Sequence, residues 1–272
     1  MAMDAGLERT LREERDRLTA LAEASSDFAT AGPRFQEVAE RVVRRVAELI
    51  GDSCLMMLVS RDGHWLKPTA VFHVDPEARH AMDTITAPRP IDLPSLAAEV
   101  VRDNQALLIP ELDKDAVRSR MWPDVLALVE RFGTHSLLFV PMRARGRVIG
   151  ALGLTRESAR PGYGTEDQAF LQTLADTAAA ALESVRLAQE ARRQLHERRR
   201  AEELSRRIIE STQDCIQVLD FEGRLLMLNT QSQQQMGLED TGAWLTLPWA
   251  KVWAEADQEA ASRALDASGA RD

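Results

Sequence analysis
The hydrophobic positions of this chain fall into helical and strand-like stretches that follow one another in a definite order. Leu7, Leu11, Leu18, Leu21 and Phe28 sit at steps of three and four, with Glu14 and Ser25 completing the seam. Residues 7–28 are therefore predicted to form an amphipathic helix with a heptad stripe. Glu8–Arg12 and Glu13–Arg17 add i,i+4 charge pairs of the better polarity. Beyond Ala31-Gly32-Pro33, a second helix buries Phe35, Val38, Val42, Val43, Val46, Leu49 and Ile50. Gly51 stands where a left-handed C-terminal cap would. Strands are predicted over 54–59 and 65–74, joined by the Arg61-Asp62-Gly63 turn, and Lys67-Pro68 makes the second an edge or bulged strand. Asp75-Pro76-Glu77 opens a short helix, and Ala87-Pro88-Arg89-Pro90 reads as loop. Residues 93–104 form a helix with Leu96, Val100 and Val101 inward, 107–109 a short strand, 113–119 a loop, and 121–132 a helix ended by Gly133.

The pattern centres on residues 136–191. Leu137–Met142 and Val148–Leu154 are apolar runs of strand length, and Arg145-Gly146-Arg147 between them is a tight turn, so they form an antiparallel hairpin. Pro161-Gly162-Tyr163-Gly164 breaks the second strand. A long helix then starts at Thr165, with Gln168 at capping-box spacing. Leu171, Leu174, Ala178, Ala181, Val185, Ala188 and Leu195 keep a three-four rhythm along it, and the charged stretch from Arg192 continues as a solvated helical linker.

Taken in order, the segment from Phe35 to Ala188 resembles a GAF domain. The resemblance is carried by the entry helix ending in Gly51-Asp52, the Asp62-Gly63 turn and Leu108-Ile109-Pro110. Ser136-Leu-Leu-Phe-Val-Pro-Met142, Gly146, Ile149-Gly150, Leu152 and Tyr163 with Glu166-Asp167 complete it. It implies an α+β fold: a central antiparallel sheet with long N- and C-terminal helices on one face, and shorter helices and loops enclosing a small-molecule pocket on the other. Residues 208–237 are similar to the opening of a PAS domain. An alternating strand at Cys215–Asp220 leads through Asp220-Phe-Glu-Gly223-Arg224 to a second strand and Asn229, and Trp244, Trp249 and Trp253 follow. The strands that would complete that fold are expected to be missing, leaving an open edge. The expected organisation is 1–32 N-terminal helix, 33–190 GAF domain, 191–207 charged linker and 208–272 partial PAS domain.

Composition narrows the functional classes. A net charge of −9 over 272 residues speaks against a nucleic-acid platform. Two cysteines, Cys54 and Cys215, offer neither a disulfide framework nor a zinc set and fit a reducing compartment. The charged start is unlike a signal peptide, and no apolar run has membrane-spanning length, so a cytoplasmic location is expected. His196-Glu197-Arg198 resembles the phosphoacceptor box of histidine kinases, but Arg199-Arg200-Ala201 departs from it and no Gly-rich ATP domain follows, so it reads as a surface histidine. Where cyclic-nucleotide-binding GAF proteins carry Asn-Lys, Phe and Asp-Glu, this chain has Thr155-Arg156, Tyr163 and Asp167-Gln168, which disfavours that ligand. Bilin attachment needs a thiol within 91–135, flavin photochemistry needs an asparagine-cysteine pair, and methionine-sulfoxide reduction needs several cysteines; none is present.

A pocket without a named ligand is what the resemblance leaves, with Met56, Phe72, Trp122, Leu126, His135 and Phe139 as candidate lining residues. No cofactor is assigned, and without a catalytic set the chain is expected not to be an enzyme. The functional expectation is a sensor that binds a small ligand or partner and passes a shift through dimeric helices to an output such as a histidine kinase. Leu7, Leu11, Leu18, Leu21, Phe28, Leu174, Ala181, Val185, Ala188 and Leu195 are the candidate dimer positions. The alternative is a dimerisation scaffold without a small ligand. Hydrogen exchange tests the domain reading: amides after Ile208 should exchange faster than those of the 137–154 hairpin, and equal protection would refute it.

Overall fold
A computed structural model describes residues 2–30, 32, 34–84, 87–157, 160–237, 245, 247–252, 259, 260 and 263, with side chains described from Arg15 onward apart from Ala29, Ala250 and Val252. Trp244 and Trp253, and the side chains of Leu7 and Leu11, lie outside the described residues. Two compact units divide the chain, 1–190 and 191–272.

The first unit opens with α1 (Ala2–Thr30) and α2 (Phe35–Ile50), followed by β1 (Ser53–Val59) and β2 (Trp65–His73). Next come α3 (Pro76–Met82), β3 (Arg89–Pro90), α4 (Leu96–Asp103) and β4 (Leu107–Ile109). The one-turn α5 (Lys114–Val117), a 3-10 turn at Arg118–Arg120 and α6 (Pro123–Phe132) lead to β5 (Ser136–Ala144), β6 (Arg147–Arg156) and the start of α7 (Thr165–Ser211). The strands form one antiparallel sheet in the order β3-β2-β1-β6-β5-β4. At its centre the β5–β6 hairpin pairs Ser136 with Arg156 through Met142 with Gly150, shifts register by one residue, and ends with Ala144 opposite Arg147. Its two-residue turn places both Arg145 (φ 51°) and Gly146 (φ 76°) in the left-handed region, the geometry that matches strand twist.

Side-chain alternation sends each central strand's residues to two different cores. Cys54, Met56, Leu138, Val140, Leu152 and Leu154 face α1, α2 and α7, where they pack with Phe28, Val38, Val42, Leu171 and Leu174. Full burial of one such leucine contributes about 1.5–3 kcal/mol. On the opposite face Met57, Leu66 and Ala151 pack with Ala97, Ala98 and Val100 of α4. Because both faces are covered, β5 and β6 read as continuous apolar runs rather than strict alternation.

Several local expectations change. The expected loop at 113–119 holds a helical turn at Lys114–Val117 and the 3-10 turn that follows, because Asp113 Oδ1 accepts the Asp115 and Ala116 N–H groups and caps α5. Arg89–Pro90 forms a short strand against Trp65 and Leu66. At the start of α7 the box residue is Asp167, whose Oδ2 accepts the Gly164 N–H, in place of the Thr165/Gln168 pair. Gly51 is extended (φ −129°, ψ −178°), so it is not a left-handed cap. An added Cβ there would lie 3.0 Å from both Ser53 O and Tyr163 Oη, which makes close packing its constraint. The expected bulge in β2 falls at Thr69, between the Met56–Ala70 and Met57–Pro68 pairs.

In the second unit α7 continues to Ser211, and Leu195, Leu204 and Ile208 are exposed along it. β7 (Gln217–Leu219) and β8 (Leu225–Leu228) form a two-stranded sheet, followed by α8 (Thr230–Met236). The fully buried Asn229 organises it. Its Nδ2 donates to Ile209 O (3.1 Å) and Asp214 O (2.8 Å), and its Oδ1 accepts the N–H of Ile216 (2.9 Å) and Ser232 (3.0 Å). Phe221, Val218 and Leu226 remain exposed. Among the described residues no helix is long and apolar enough to cross a membrane.

The close approach of β1 and β6 gives a direct test. A Cβ on Gly150 would fall 2.2 Å from Met57 O, a backbone atom that moves only if the strands separate. Gly150→Ala should cost about 2–3 kcal/mol in urea unfolding, and a change within about 0.5 kcal/mol would contradict this packing.

Candidate functional site
The strand ends place polar residues together. Ser53 begins β1, His73 ends β2, Thr134 precedes β5, and Thr155 and Glu157 close β6. The antiparallel register brings these ends to one side of the sheet, beneath α3 and α6. They form the floor of a cavity of about 50 Å3 whose walls are apolar. Leu55, Leu137, Phe139 and Gly153 line it from the sheet, and Met82, Met121, Val125, Leu128, Val129 and Phe132 from above. Gly153 makes room for Phe139, since a Cβ there would sit 2.3 Å from the phenyl ring.

The floor is a connected hydrogen-bond network around Glu157. Its Oε1 accepts Thr134 Oγ1 (3.1 Å) and Thr155 Oγ1 (3.0 Å), and its Oε2 pairs with His73 Nε2 (2.8 Å). The Asp75 N–H donates to His73 Nδ1 (2.9 Å), so Nδ1 carries the lone pair and Nε2 the proton given to Glu157. Thr155 Oγ1 and Ser53 Oγ are 2.6 Å apart. Asp75 also caps α3, and the Ala78 and Glu77 N–H groups hold its carboxyl below the usual range.

Glu157 ties this floor to the segment that leads into α7. Its own N–H donates to Asp52 Oδ2 (2.8 Å), and Asp52 Oδ1 accepts Arg160 Nη2 (2.7 Å). Tyr163 Oη donates to Thr155 O (2.9 Å), and burial pushes its hydroxyl pKa up. The Arg156 guanidinium lies 4.0 Å from the Tyr163 ring centroid and donates to Ile50 O and Pro161 O. Burial likewise raises the Cys54 thiol, which lies on the helix-covered face as an inert core residue.

At the opposite end of the hairpin an ion-pair ladder joins the sheet to α7. Arg147 Nη2 reaches Glu183 Oε1 at 3.2 Å, and Arg186 grips the same carboxylate through Nε (2.8 Å) and Nη2 (2.7 Å). Arg186 also meets Glu190, which faces Arg61 at 3.7 Å. The Arg186 hydrogen bonds, then its charge and that of Arg147, hold the buried Glu183 carboxyl down to about 2.

Of the expected lining residues, Phe139 alone is in the cavity wall. Met56 and Phe72 belong to the core on the other face, because strand alternation turns them toward the helices. Phe72 sits there between Arg44 and Arg79, beside a solvent-open cleft of about 340 Å3. Trp122 precedes α6 under the Arg89 guanidinium, and Leu126 is buried outside the cavity lining. His135 is half-buried and braces the β6–α7 connection through Arg160 O (3.2 Å). Sequence reasoning missed His73, Glu157, Ser53, Thr134 and Thr155. The available signal was a polar residue at the matching end of every central strand.

The candidate dimer positions divide as well. Phe28 and Leu174 are enclosed in the unit's own core, and Leu21, Ala181 and Val185 pack against it. Leu18, Ala188 and Leu195 are exposed.

The GAF domain model matches residues 34–182. Among solved structures, the GAF domain of a phosphoenolpyruvate-protein phosphotransferase from Coxiella burnetii aligns with a TM-score of 0.52 at 16% identity, covering 64% of this chain and 96% of that one. The corresponding Acinetobacter domain aligns with a TM-score of 0.50 at 16% identity, covering 62% and 94%. No curated protein matches the chain.

The Glu183 ladder predicts a pH-dependent stability term. Its carboxyl titrates lower when folded, so its contribution is full above about pH 4.5 and fades as pH falls toward 2. Solvent screening at the exposed Arg147 reduces the full value, so Glu183→Gln should cost about 1–2 kcal/mol at pH 7 and almost nothing near pH 2 in chemical unfolding. A penalty unchanged across that range would rule out the ionic origin.

Proposed function
Because the chain belongs to the GAF domain family, we propose that it is the sensory part of a signalling protein. In this reading the cavity beneath α3 and α6 is the receiving site, and α7 carries the response. The observation that supports it most is the double duty of β5 and β6. One face of these strands supplies Phe139, Gly153 and Thr155 to the cavity, and the other packs Leu138, Val140, Leu152 and Leu154 beneath the helices that include α7. A ligand that spreads the cavity wall favours one placement of the strands against α7, and the helix position follows as a population shift.

Two further elements belong to the same reading. The module works as a homodimer through exposed positions of its long helices, Leu18 on α1 and Ala188 and Leu195 on α7, and its output is a histidine kinase or another signalling module. Residues 208–237 are the opening of a PAS domain, for which the β7–β8 hairpin, the Asp220–Gly223 turn and the Asn229 cap provide support.

One observation favours the alternative, an interaction scaffold without a small ligand. A cavity of about 50 Å3 is well below the ~300–1,000 Å3 of established ligand sites. Native mass spectrometry of the purified chain separates these readings. The sensor predicts a species of twice the 30.3 kDa chain mass that releases or takes up a small molecule. A dimer that binds nothing would support the scaffold, and a monomer at micromolar concentration would defeat both.

A further inference from the structure
The hydrogen atoms at the cavity floor are all committed, and this decides what chemistry the cavity can accept. Thr134 Oγ1 gives its proton to Glu157 Oε1, and so does Thr155 Oγ1. With the Thr155 proton spent there, the 2.6 Å contact to Ser53 runs from the Ser53 hydroxyl to Thr155 Oγ1. Ser53 Oγ in turn accepts the Thr155 N–H at 3.3 Å. The His73 proton is on Nε2 and goes to Glu157 Oε2, because Nδ1 accepts from Asp75. Among the described residues of the floor, no side-chain donor is left for an incoming molecule.

Its acceptor capacity is not exhausted. A carboxylate offers about four lone-pair positions. Glu157 Oε1 receives two donors and Oε2 receives one, so one position on Oε2 is unfilled. Glu157 lines the cavity, and 15% of its side-chain surface remains accessible. Everything facing it across the space is carbon or thioether: Leu55, Phe139, Val125, Leu128 and the unbranched Met82 and Met121. Methionine changes rotamer at low cost, so Met82 and Met121 are the walls that yield most readily to a molecule larger than the cavity of about 50 Å3.

We propose that this cavity selects a small molecule with an apolar body and one hydrogen-bond donor, a hydroxyl or an ammonium, placed on Glu157 Oε2. The inference rests on the reading of the cavity as the receiving site and names the class of ligand it receives. An anion meets the Glu157 carboxylate with no donor to compensate. An acceptor-only molecule finds no proton. A hydrocarbon fills the walls and leaves the open Oε2 position unused. A donor on the open Oε2 position joins His73 and the threonines on one carboxylate, and through the Glu157 N–H to Asp52 and Arg160 it bears on the segment entering α7.

The test is a titration of the full chain, followed by amide NMR shifts, with phenol, benzylamine, toluene and benzoate, which share a ring and differ in donor and charge. Phenol or benzylamine should bind about tenfold or more tightly than toluene, the worth of one hydrogen bond to a charged group. Benzoate should not bind, and the shifts should centre on Ser53, Thr134, Thr155 and Glu157. Which of phenol and benzylamine is preferred identifies the donor as hydroxyl or ammonium. Toluene binding as tightly as both, or benzoate binding at these residues, overturns the ligand class while leaving a receiving cavity in place. No shift at the cavity with any of the four, toluene included, overturns the receiving-site reading and this inference with it.

Discussion
Burial of β5 and β6 on both faces is the constraint from which the first unit follows. A strand covered on one side tolerates polar residues on the other, but these two have no such side. Successive residues must satisfy two unrelated partners: the helix-side core takes Leu138, Val140, Leu152 and Leu154, and the cavity side takes Leu137, Phe139 and Gly153. A displacement on one side is therefore felt on the other, because close-packed side chains pass strain on rather than absorb it. The glycines at 150 and 153 belong to this constraint, since each sits where a neighbouring strand or ring leaves no space for a methyl group.

Polar groups are confined to the two ends of that apolar layer, and the ends differ in kind. At the cavity end Glu157 is held by neutral donors, two hydroxyls and an imidazole, with Asp52 and Arg160 behind it. At the turn end Glu183 is satisfied by arginines. A buried carboxylate left alone would be costly, so each end is held by the groups that solvate it. The hairpin is thus pinned to the β6–α7 connection at one end and to α7 itself at the other.

The second unit uses a different economy. Its sheet has two strands, and among the described residues Phe221, Val218 and Leu226 stay exposed. One buried side chain there, Asn229, joins the end of α7, the approach to β7 and the start of α8. A polar residue does this work where the described residues form no large apolar layer.

The sequence by itself determined the order of elements, the hairpin, the core face of α2 and the resemblance to the GAF family, because these depend on period and on turn residues close in the chain. Only the tertiary structure decided which face each strand residue serves. Met56 and Phe72 turn toward the helices because the pairing register places them there, and a register cannot be counted from one strand alone. It likewise decided that Phe28 and Leu174 serve their own core, since a heptad stripe looks the same whether it meets a second copy or the sheet beside it. The Glu157 network was invisible for the same reason: residues as far apart as Ser53 and Thr155 meet only when antiparallel pairing brings the strand ends together, and no spacing along the chain records that meeting.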